Sequence, residues 1–376
     1  MKKTIAFIKK EMVLCIALLL AVLSSCVIPP DKEYAGYIDF RTLAILFCLM
    51  SVMAGLQKMG IFEWIAGGVL RKVKSFGSLV QVLMLLCFFS GMLITNDVAL
   101  ITFVPFTFTV LGMVGREQRR KLVLPLAAMQ TIAANLGSML TPIGNPQNLY
   151  LYGKAGLSFG RFVLLMLPYA LVALAVILTW GIVQSRAYHG PVQVSFSEEA
   201  RISGSSVHLA VYAVLFVLAL LTVARVVPYG VTLVATIVAL LVMDKSIFGR
   251  VDYSLLLTFV GFFIFIGNIG RLPAFSRMLQ QVVSGHEVLA GVAASQVISN
   301  VPAALLLSGF TEDLSALIIG VNLGGLGTLI ASMASLISYK LIAREESQVK
   351  GAYFRYFAVA NVCFLAILLV FTLTEI

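Results

Sequence analysis

The residues best suited to bind a solute or an ion lie in four short polar segments that interrupt long apolar tracts. Segments 95–97 and 135–145 lie in the first half of the chain, and segments 299–300 and 322–331 lie in the second half. Asn, Leu, Gly, Thr and Ile recur at the same offsets in the two longer segments. Matched interruptions of this kind are typical of a transporter whose binding site lies between two repeats.

Helix breaks at these segments would expose groups for two kinds of ligand. Freed backbone carbonyls beside Asn and Thr side chains suit a hard cation, whereas helix N-termini attract an anion. Pro142 and Pro146 remove backbone donors at the first break, and glycines loosen both breaks. The candidate binding residues are Thr95, Asn96, Asp97, Asn135, Thr141, Gly144, Asn145, Ser299, Asn300, Asn322, Gly325, Gly327 and Thr328. The candidate sodium ligands among them are Asn96, Asp97, Asn135, Asn300 and Asn322. Close packing of helices through small residues is the alternative interpretation.

Asp97 is the most informative single residue in these segments. A carboxylate between two apolar tracts is expensive in a membrane and indicates a functional role. Asp97 could ligate sodium, or it could carry a proton if burial favours its neutral form. The alternative is that it packs against or caps a neighbouring helix start. The second tip has Val301 in the equivalent place, so we expect the two halves to couple ions differently.

Composition places the chain in a bilayer. Hydrophobic residues make up 60% of the sequence, charged residues 12%, and the mean hydropathy is +1.01. The apolar runs are too long for barrel strands, so we predict an all-α polytopic membrane protein. The net charge of +10 does not indicate nucleic acid, because Lys and Arg lie between apolar tracts. The five Cys and three His show no ligand spacing, and we expect no cofactor.

A spanning helix needs about 20 apolar residues. The candidate spans are 11–29, 38–57, 122–151, 162–184, 207–227, 230–244, 252–270, 314–340 and 353–374. Tracts 78–115 and 286–310 are each broken at a polar tip, and we predict that each forms a re-entrant helical hairpin. The fold is therefore expected to contain about nine spans, two hairpins and helices broken at mid-membrane.

The basic residues orient this topology. With the N-terminus inside, 20 of the 27 Lys and Arg residues fall on the cytoplasmic side, as the positive-inside rule requires. The exceptions are Lys32, Arg41, Lys154, Arg161, Arg225, Arg271 and Arg277. We therefore expect a multi-pass protein of the bacterial plasma (inner) membrane, with its N-terminus in the cytoplasm and its C-terminus outside.

The spans divide into two repeats of opposite orientation. Residues 1–184 form the first repeat, 185–206 a cytoplasmic linker, 207–229 a connecting helix and 230–376 the second repeat. The amphipathic segments 61–74 and 274–284 precede the two hairpins and either lie along the interface or form ordinary loop helices.

The N-terminus admits two interpretations. Basic residues precede an apolar run that ends at Cys26, which resembles a lipoprotein signal. A first spanning helix with a basic cytoplasmic flank is the preferred interpretation, because the rest of the chain is polytopic and needs no lipid anchor.

The motifs resemble those of the ion transporter superfamily, which includes citrate and dicarboxylate permeases, arsenite permeases and some sodium/proton antiporters. The resemblance rests on segments 95–97, 135–149, 299–302 and 322–328, and it is strongest to bacterial citrate-transporter-like and arsenite-permease-like anion permeases. It implies an inverted-repeat fold, a homodimer and elevator-like alternating access. In the dicarboxylate branch, Ser-Asn-Thr tips bind carboxylates beside sodium, and Thr95, Asn96, Ser299 and Asn300 match those tips. Asp97 and Val301 depart from it, since that branch has threonine at both positions.

We therefore expect a secondary transporter that moves a small organic or inorganic anion coupled to Na+ or H+. Its partners would be the anionic solute, the bilayer and a second copy of the chain, without nucleic acid. Arsenite or antimonite efflux and Na+/H+ exchange remain alternatives, because Asp97 would repel a multiply charged anion unless protonated or cation-bound. An enzyme is not expected, since no nucleophile, metal or paired-acid motif lies in the spans.

Overall fold

The computed structural model describes residues 11–114, 116–186 and 202–375, and these residues form helices without any strand. The first half contains α1 (Met12–Val27), α2 (Tyr34–Tyr37), α3 (Phe40–Lys58), α4 (Ile61–Leu70), α5 (Phe76–Ile94), α6 (Asn96–Val114), α7 (Arg116–Ser138), α8 (Pro146–Lys154) and α9 (Phe159–Arg186). The second half contains α10 (Ser206–Val223), α11 (Tyr229–Met243), α12 (Tyr253–Gly270), α13 (Pro273–Val283), α14 (Glu287–Ile298), α15 (Asn300–Leu307), α16 (Leu314–Leu323), α17 (Met333–Glu345) and α18 (Lys350–Glu375).

The all-α membrane fold predicted from composition is confirmed. Within the described residues, seven helices are long and apolar enough to cross a bilayer: α3, α5, α6, α9, α10, α12 and α18. The predicted spans 11–29 and 230–244 correspond to the shorter apolar helices α1 and α11. Two of the seven helices are the arms of the first hairpin, so length alone does not separate a re-entrant hairpin from two crossings.

Helical hairpins occupy both predicted places, and their re-entrant path in the bilayer stays a prediction. Helices α5 and α6 pack against each other and are joined through the single residue Thr95, while α14 and α15 are joined in the same way through Ser299. The predicted bounds of 78–115 and 286–310 lie within a few residues of the observed helices. Both predicted helix breaks are also present, since span 122–151 divides into α7 and α8, and span 314–340 into α16 and α17.

The predicted domain boundaries after residues 184, 206 and 229 stay predictions. The amphipathic segments form α4 and α13, immediately before the two hairpins. Most of the predicted linker 185–206 lies outside the described residues, as does the N-terminal segment 2–10 with its four lysines. The helix order α5–α8 recurs as α14–α17, and the opposite orientation of the two units in the bilayer stays a prediction.

Helix α7 lies at the centre of the first unit. Its segment from Leu126 to Leu136 is almost entirely buried, and it packs against α5, α6, α9, α17 and α18. The approach to α5 is closest at Gly137, where an added Cβ would lie 1.9 Å from the Phe88 carbonyl oxygen. The small residue therefore permits backbone contact between the hairpin and the broken helix.

This close approach gives the first prediction. Gly137→Ala should lower the free energy of unfolding by about 3 kcal/mol, because the added methyl group overlaps backbone atoms that cannot rotate away. Gly67→Ala is the control, since its Cβ would meet nothing within 4 Å and should stabilise α4 by about 0.5–1 kcal/mol. Unfolding of the two purified variants in detergent measures both effects. Equal stability of Gly137→Ala and the unmodified protein would contradict this packing.

Candidate functional site

The two hairpin tips share an unusual backbone conformation. Thr95 has φ 73° and ψ 149°, and Ser299 has φ 74° and ψ 153°. This part of conformational space strongly favours glycine, and other residues adopt it at a cost of about 1–3 kcal/mol. Strain at both corresponding positions indicates that each tip is held in place by the structure around it.

One backbone hydrogen bond fastens each tip to the broken helix of its own unit. The Asn96 N–H donates to the Gly144 carbonyl at 3.1 Å, and the Asn300 N–H donates to the Ala331 carbonyl at 2.9 Å. The first N–H groups of a helix and the carbonyls of a break both lack intrahelical partners, so each satisfies the other. The tips therefore lie at the same depth as the helix breaks.

Thr141 and Thr328 attach the breaks to the first arms of the hairpins. The Thr141 hydroxyl donates to the Met92 carbonyl, and the Thr328 hydroxyl donates to the Gln296 carbonyl at 3.3 Å. These acceptors lie at equivalent places on the first arms of the two hairpins. Both threonines hold the breaks in position. Their equal offsets in the two repeated segments therefore reflect the same contact, formed once in each unit.

The second break is also held by the side chain of Gln296. Its Nε2 donates to the carbonyls of Gly324 and Leu326 at 3.0 and 2.9 Å, and its Oε1 accepts from the Thr328 N–H at 2.9 Å. The predicted residues Gly325 and Gly327 lie in this same turn. Gln296 was not among the predicted residues, although its place three residues before Ser299 was visible in the sequence.

Asn135 joins the two halves of the chain. Its Oδ1 accepts from Asn96 Nδ2 and from Ser332 Oγ, both at 3.0 Å. Ser332 follows Ala331, which holds the second tip, so a short path connects tip to tip. Ser332 was missed by the sequence analysis, and extending the repeat comparison by one residue would have paired it with Asn145. Both residues cap the helices that follow the breaks.

Asn322 is the repeat counterpart of Asn135, but its side chain has a different environment. Its Nδ2 donates to Asn148 Oδ1 at 2.6 Å, and its Oδ1 accepts from Asn145 Nδ2 at 3.3 Å. Asn322 thus binds the break of the first unit, whereas Asn300 lies against Gly325. The structure therefore groups Asn96, Asp97 and Asn135 at the first tip and places Asn322 with Asn145. Asn148 was not among the predicted residues, because its short distance from the break is the one feature of the sequence that points to it.

The first break is too tight for a side chain at Gly144. An added Cβ there would lie 2.0 Å from the Ser138 carbonyl oxygen. Asn148 Nδ2 lies 3.3–3.4 Å from the carbonyls of Ser138, Met139 and Thr141, which closes the turn. The break is thus a rigid structure that presents the Gly144 carbonyl to the first tip.

Three buried polar atoms at the tips have no hydrogen-bond partner among the described residues. They are Asp97 Oδ1, Asn135 Nδ2 and Ser299 Oγ. An unpaired buried polar atom costs about 1–3 kcal/mol, and such atoms mark places where a ligand or water belongs. The amide and hydroxyl can donate to an anion, whereas the carboxylate oxygen can accept a proton or contact a cation.

A cavity of about 200 Å³ borders Ser299. Its wall includes Ser254 and Thr258 of α12 and Lys340 of α17, beside the start of α1. Lys58 and Asp244, which form an ion pair at 2.6 Å, mark the membrane face on which α12 begins. The second tip is therefore reached from that face, through a path lined by hydroxyl groups, by Lys340 and by Glu11 next to the start of α1.

The family model described as citrate transporter matches residues 4–315, a range that contains both tips and the first break. The chain belongs to the citrate transporter family. This membership confirms the resemblance read from the motifs, and it makes the protein a multi-pass membrane transporter rather than an enzyme.

Relatives of this citrate transporter family member occur in bacteria and archaea. The inner membrane protein YbiR of Escherichia coli is 32% identical over 317 residues, which cover 82% of each chain. The uncharacterized transporter MJ0456 of Methanocaldococcus jannaschii is 30% identical over 334 residues, which cover 88% of each chain. The magnetosome protein MamN of Magnetospirillum gryphiswaldense is 27% identical over 268 residues, which cover 66% of this chain and 60% of the relative.

At the strained tip, we predict that glycine and alanine substitutions reverse their usual order of stability to unfolding. Ser299→Gly should be more stable to unfolding than Ser299→Ala by about 1–3 kcal/mol, because both lose the hydroxyl but only alanine keeps the unfavourable Cβ. Ser51 is the control, since it is a buried serine in the middle of α3 whose hydroxyl has no partner in the part of the chain that the structure describes. There the glycine variant should be less stable than the alanine variant by about 1 kcal/mol. The same order at both sites would show that the tip is not strained.

Proposed function

We propose that this transporter moves a small anion, an organic carboxylate or an inorganic oxyanion, across the plasma membrane coupled to Na+ or H+. The proposal rests on the pair of tips joined through Asn135 and Ser332. Two donors without a hydrogen-bond partner among the described residues, Asn135 Nδ2 and Ser299 Oγ, lie beside the first turns of α6 and α15. Helix N-termini and unpaired donors together favour negative charge.

Asp97 provides the coupling in this proposal. Its Oδ1 is buried and has no hydrogen-bond partner among the described residues, and its backbone N–H donates to Asn96 Oδ1, whose residue also contacts Asn135. An anion at the tips would be repelled by the ionised carboxylate, so the anion and a cation or proton at Asp97 favour each other's binding. This reciprocal effect is the thermodynamic basis of cotransport. Asn96 and Asn135 would complete the environment of a sodium ion at this tip.

The proposal includes elevator-like alternating access, and the division of the fold supports it. The hairpins and broken helices form one interlocked unit, because the tips, the breaks and Asn322 are bonded to one another. The cavity at Ser299 lies between this unit and helices α1 and α12. Movement of the interlocked unit past those helices would expose the tips to the other face. In a homodimer, the outer helices would stay in place while the interlocked unit moves.

A second candidate is export without a multiply charged anion, either arsenite or antimonite efflux or Na+/H+ exchange. The observation that favours it is the carboxylate at the first tip, where the resemblance to dicarboxylate carriers requires threonine. In this case Asp97 alone would carry the proton or sodium ion.

Flux measurements with Asp97→Asn test the proposal. Proteoliposomes containing the purified protein should accumulate one of citrate, succinate, sulfate or phosphate when a sodium or proton gradient is imposed. Asp97→Asn should fold normally and reduce this flux at least about tenfold, since a neutral amide cannot release a proton or neutralise sodium. Glu345→Gln is the control, because it removes an exposed carboxylate away from the tips.

The outcomes separate the candidates. Anion flux that depends on Asp97 supports the proposed cotransport. Sodium/proton exchange without any anion flux supports the antiporter, and antimonite or arsenite flux supports the efflux permease. Full flux in Asp97→Asn would remove the role assigned to Asp97.

A further inference from the structure

A second polar cavity lies on the membrane face opposite to the Ser299 cavity. Its volume is about 270 Å³, and its wall includes Tyr37, Asp39, Arg41, Tyr150 and Lys154. Helix α3 (19 residues) carries Arg41 near its first residue and Lys58 at its last, about 26 Å apart along the helix axis. Since Lys58 marks the face of the Ser299 cavity, this second cavity, the Lys154 vestibule, opens on the other face.

The Lys154 amine is held in the vestibule by neutral groups. Its Nζ donates to Tyr150 Oη at 3.4 Å and to Ser308 Oγ at 3.3 Å. Ser308 in turn donates to the Leu305 carbonyl, so both hydroxyls act as acceptors towards the amine. No carboxylate of the described chain lies within ion-pair distance of Lys154, and one of its three N–H groups is left for another acceptor.

The other charged groups at the vestibule direct their hydrogen bonds elsewhere, and the Asp39 carboxylate in the wall offsets part of the positive charge of Lys154 and Arg41. Arg41 Nη2 donates to the carbonyls of Thr222 and Val223, which leaves its Nη1 edge beside Gly153. The Asp39 carboxylate accepts from the N–H and hydroxyl of Thr42. Burial lowers the pKa of the Lys154 amine, although part of the side chain remains exposed, and the carboxylates of Asp39 and Glu312 partly oppose this shift.

Two short helices connect the vestibule to the tips. Helix α15 runs from the second tip at Asn300 towards Ser308, and α8 runs from the first break at Asn145 to Lys154. Each covers about 12–14 Å. An anion in the vestibule is therefore one short helix away from the tip residues, on the face that the Ser299 cavity does not reach.

We propose that the Lys154 vestibule is a binding site for a small anion, carboxylate or phosphate in type, with Lys154 and Arg41 as its cationic groups. As the entry or exit site for transported anions it rests on the proposed function, whereas anion binding there does not require transport. It also gives a reason for two of the basic residues that depart from the positive-inside pattern.

Chemical labelling of Lys154 tests this site without measuring flux. The probe is pyridoxal 5′-phosphate, whose phosphate fits an anion site and whose aldehyde condenses with an uncharged amine, releasing water. Borohydride then reduces the imine, and peptide mass spectrometry locates the label. In the detergent-purified full chain, Lys154 should be labelled faster than the exposed Lys72, and citrate or sulfate should protect Lys154 beyond sodium chloride of equal ionic strength.

Arg41→Gln should slow the labelling of Lys154 about tenfold relative to Lys72, because one of the two cationic groups is lost. If that variant does not fold, protection in the unmodified protein still decides. Labelling of Lys154 that is no faster than that of Lys72, or that no anion prevents, overturns the site. Protection of Lys154 by an anion without any anion flux would support the vestibule and contradict the proposed transport. Anion flux without protection of Lys154 would contradict the vestibule and leave the proposed transport supported.

Discussion

The structure depends on the pairing of backbone groups that the helix breaks leave unsatisfied. Inside a membrane, a broken helix has free carbonyls and a hairpin tip has free N–H groups, and neither can form hydrogen bonds with water. The bonds from Asn96 to Gly144 and from Asn300 to Ala331 join these two defects in each half. The tips, the breaks and the helices between them are therefore fixed as one unit.

This arrangement explains why strain and unpaired atoms occur at the same residues. Thr95 and Ser299 are held in a conformation that their side chains disfavour, and the surrounding hydrogen bonds maintain it. Ser299 Oγ, Asn135 Nδ2 and Asp97 Oδ1 are buried beside those positions without partners among the described residues. Groups that folding leaves unsatisfied are available to a ligand, and here two donors and one carboxylate are grouped around the tips.

Much of the fold could be predicted from the sequence because apolar length and helix-breaking residues act locally. The positions of both hairpins and both breaks follow from polar residues inside apolar tracts, and the repeated threonines proved to make equivalent contacts. Other features were missed because they depend on partners distant in the chain. Ser332 reaches Asn135 across 197 positions, and Gln296 holds a turn some 30 residues away.

By itself, the sequence determined the membrane class, the paired breaks and the family to which the chain belongs. The tertiary structure alone decided how equivalent residues divide their roles. Asn135 and Asn322 occupy the same place in the two repeats, yet Asn135 contacts the first tip while Asn322 contacts Asn145 and Asn148. An amide can donate and accept in several directions, so its partner is chosen by the packing of neighbouring helices. That choice is not encoded in spacing.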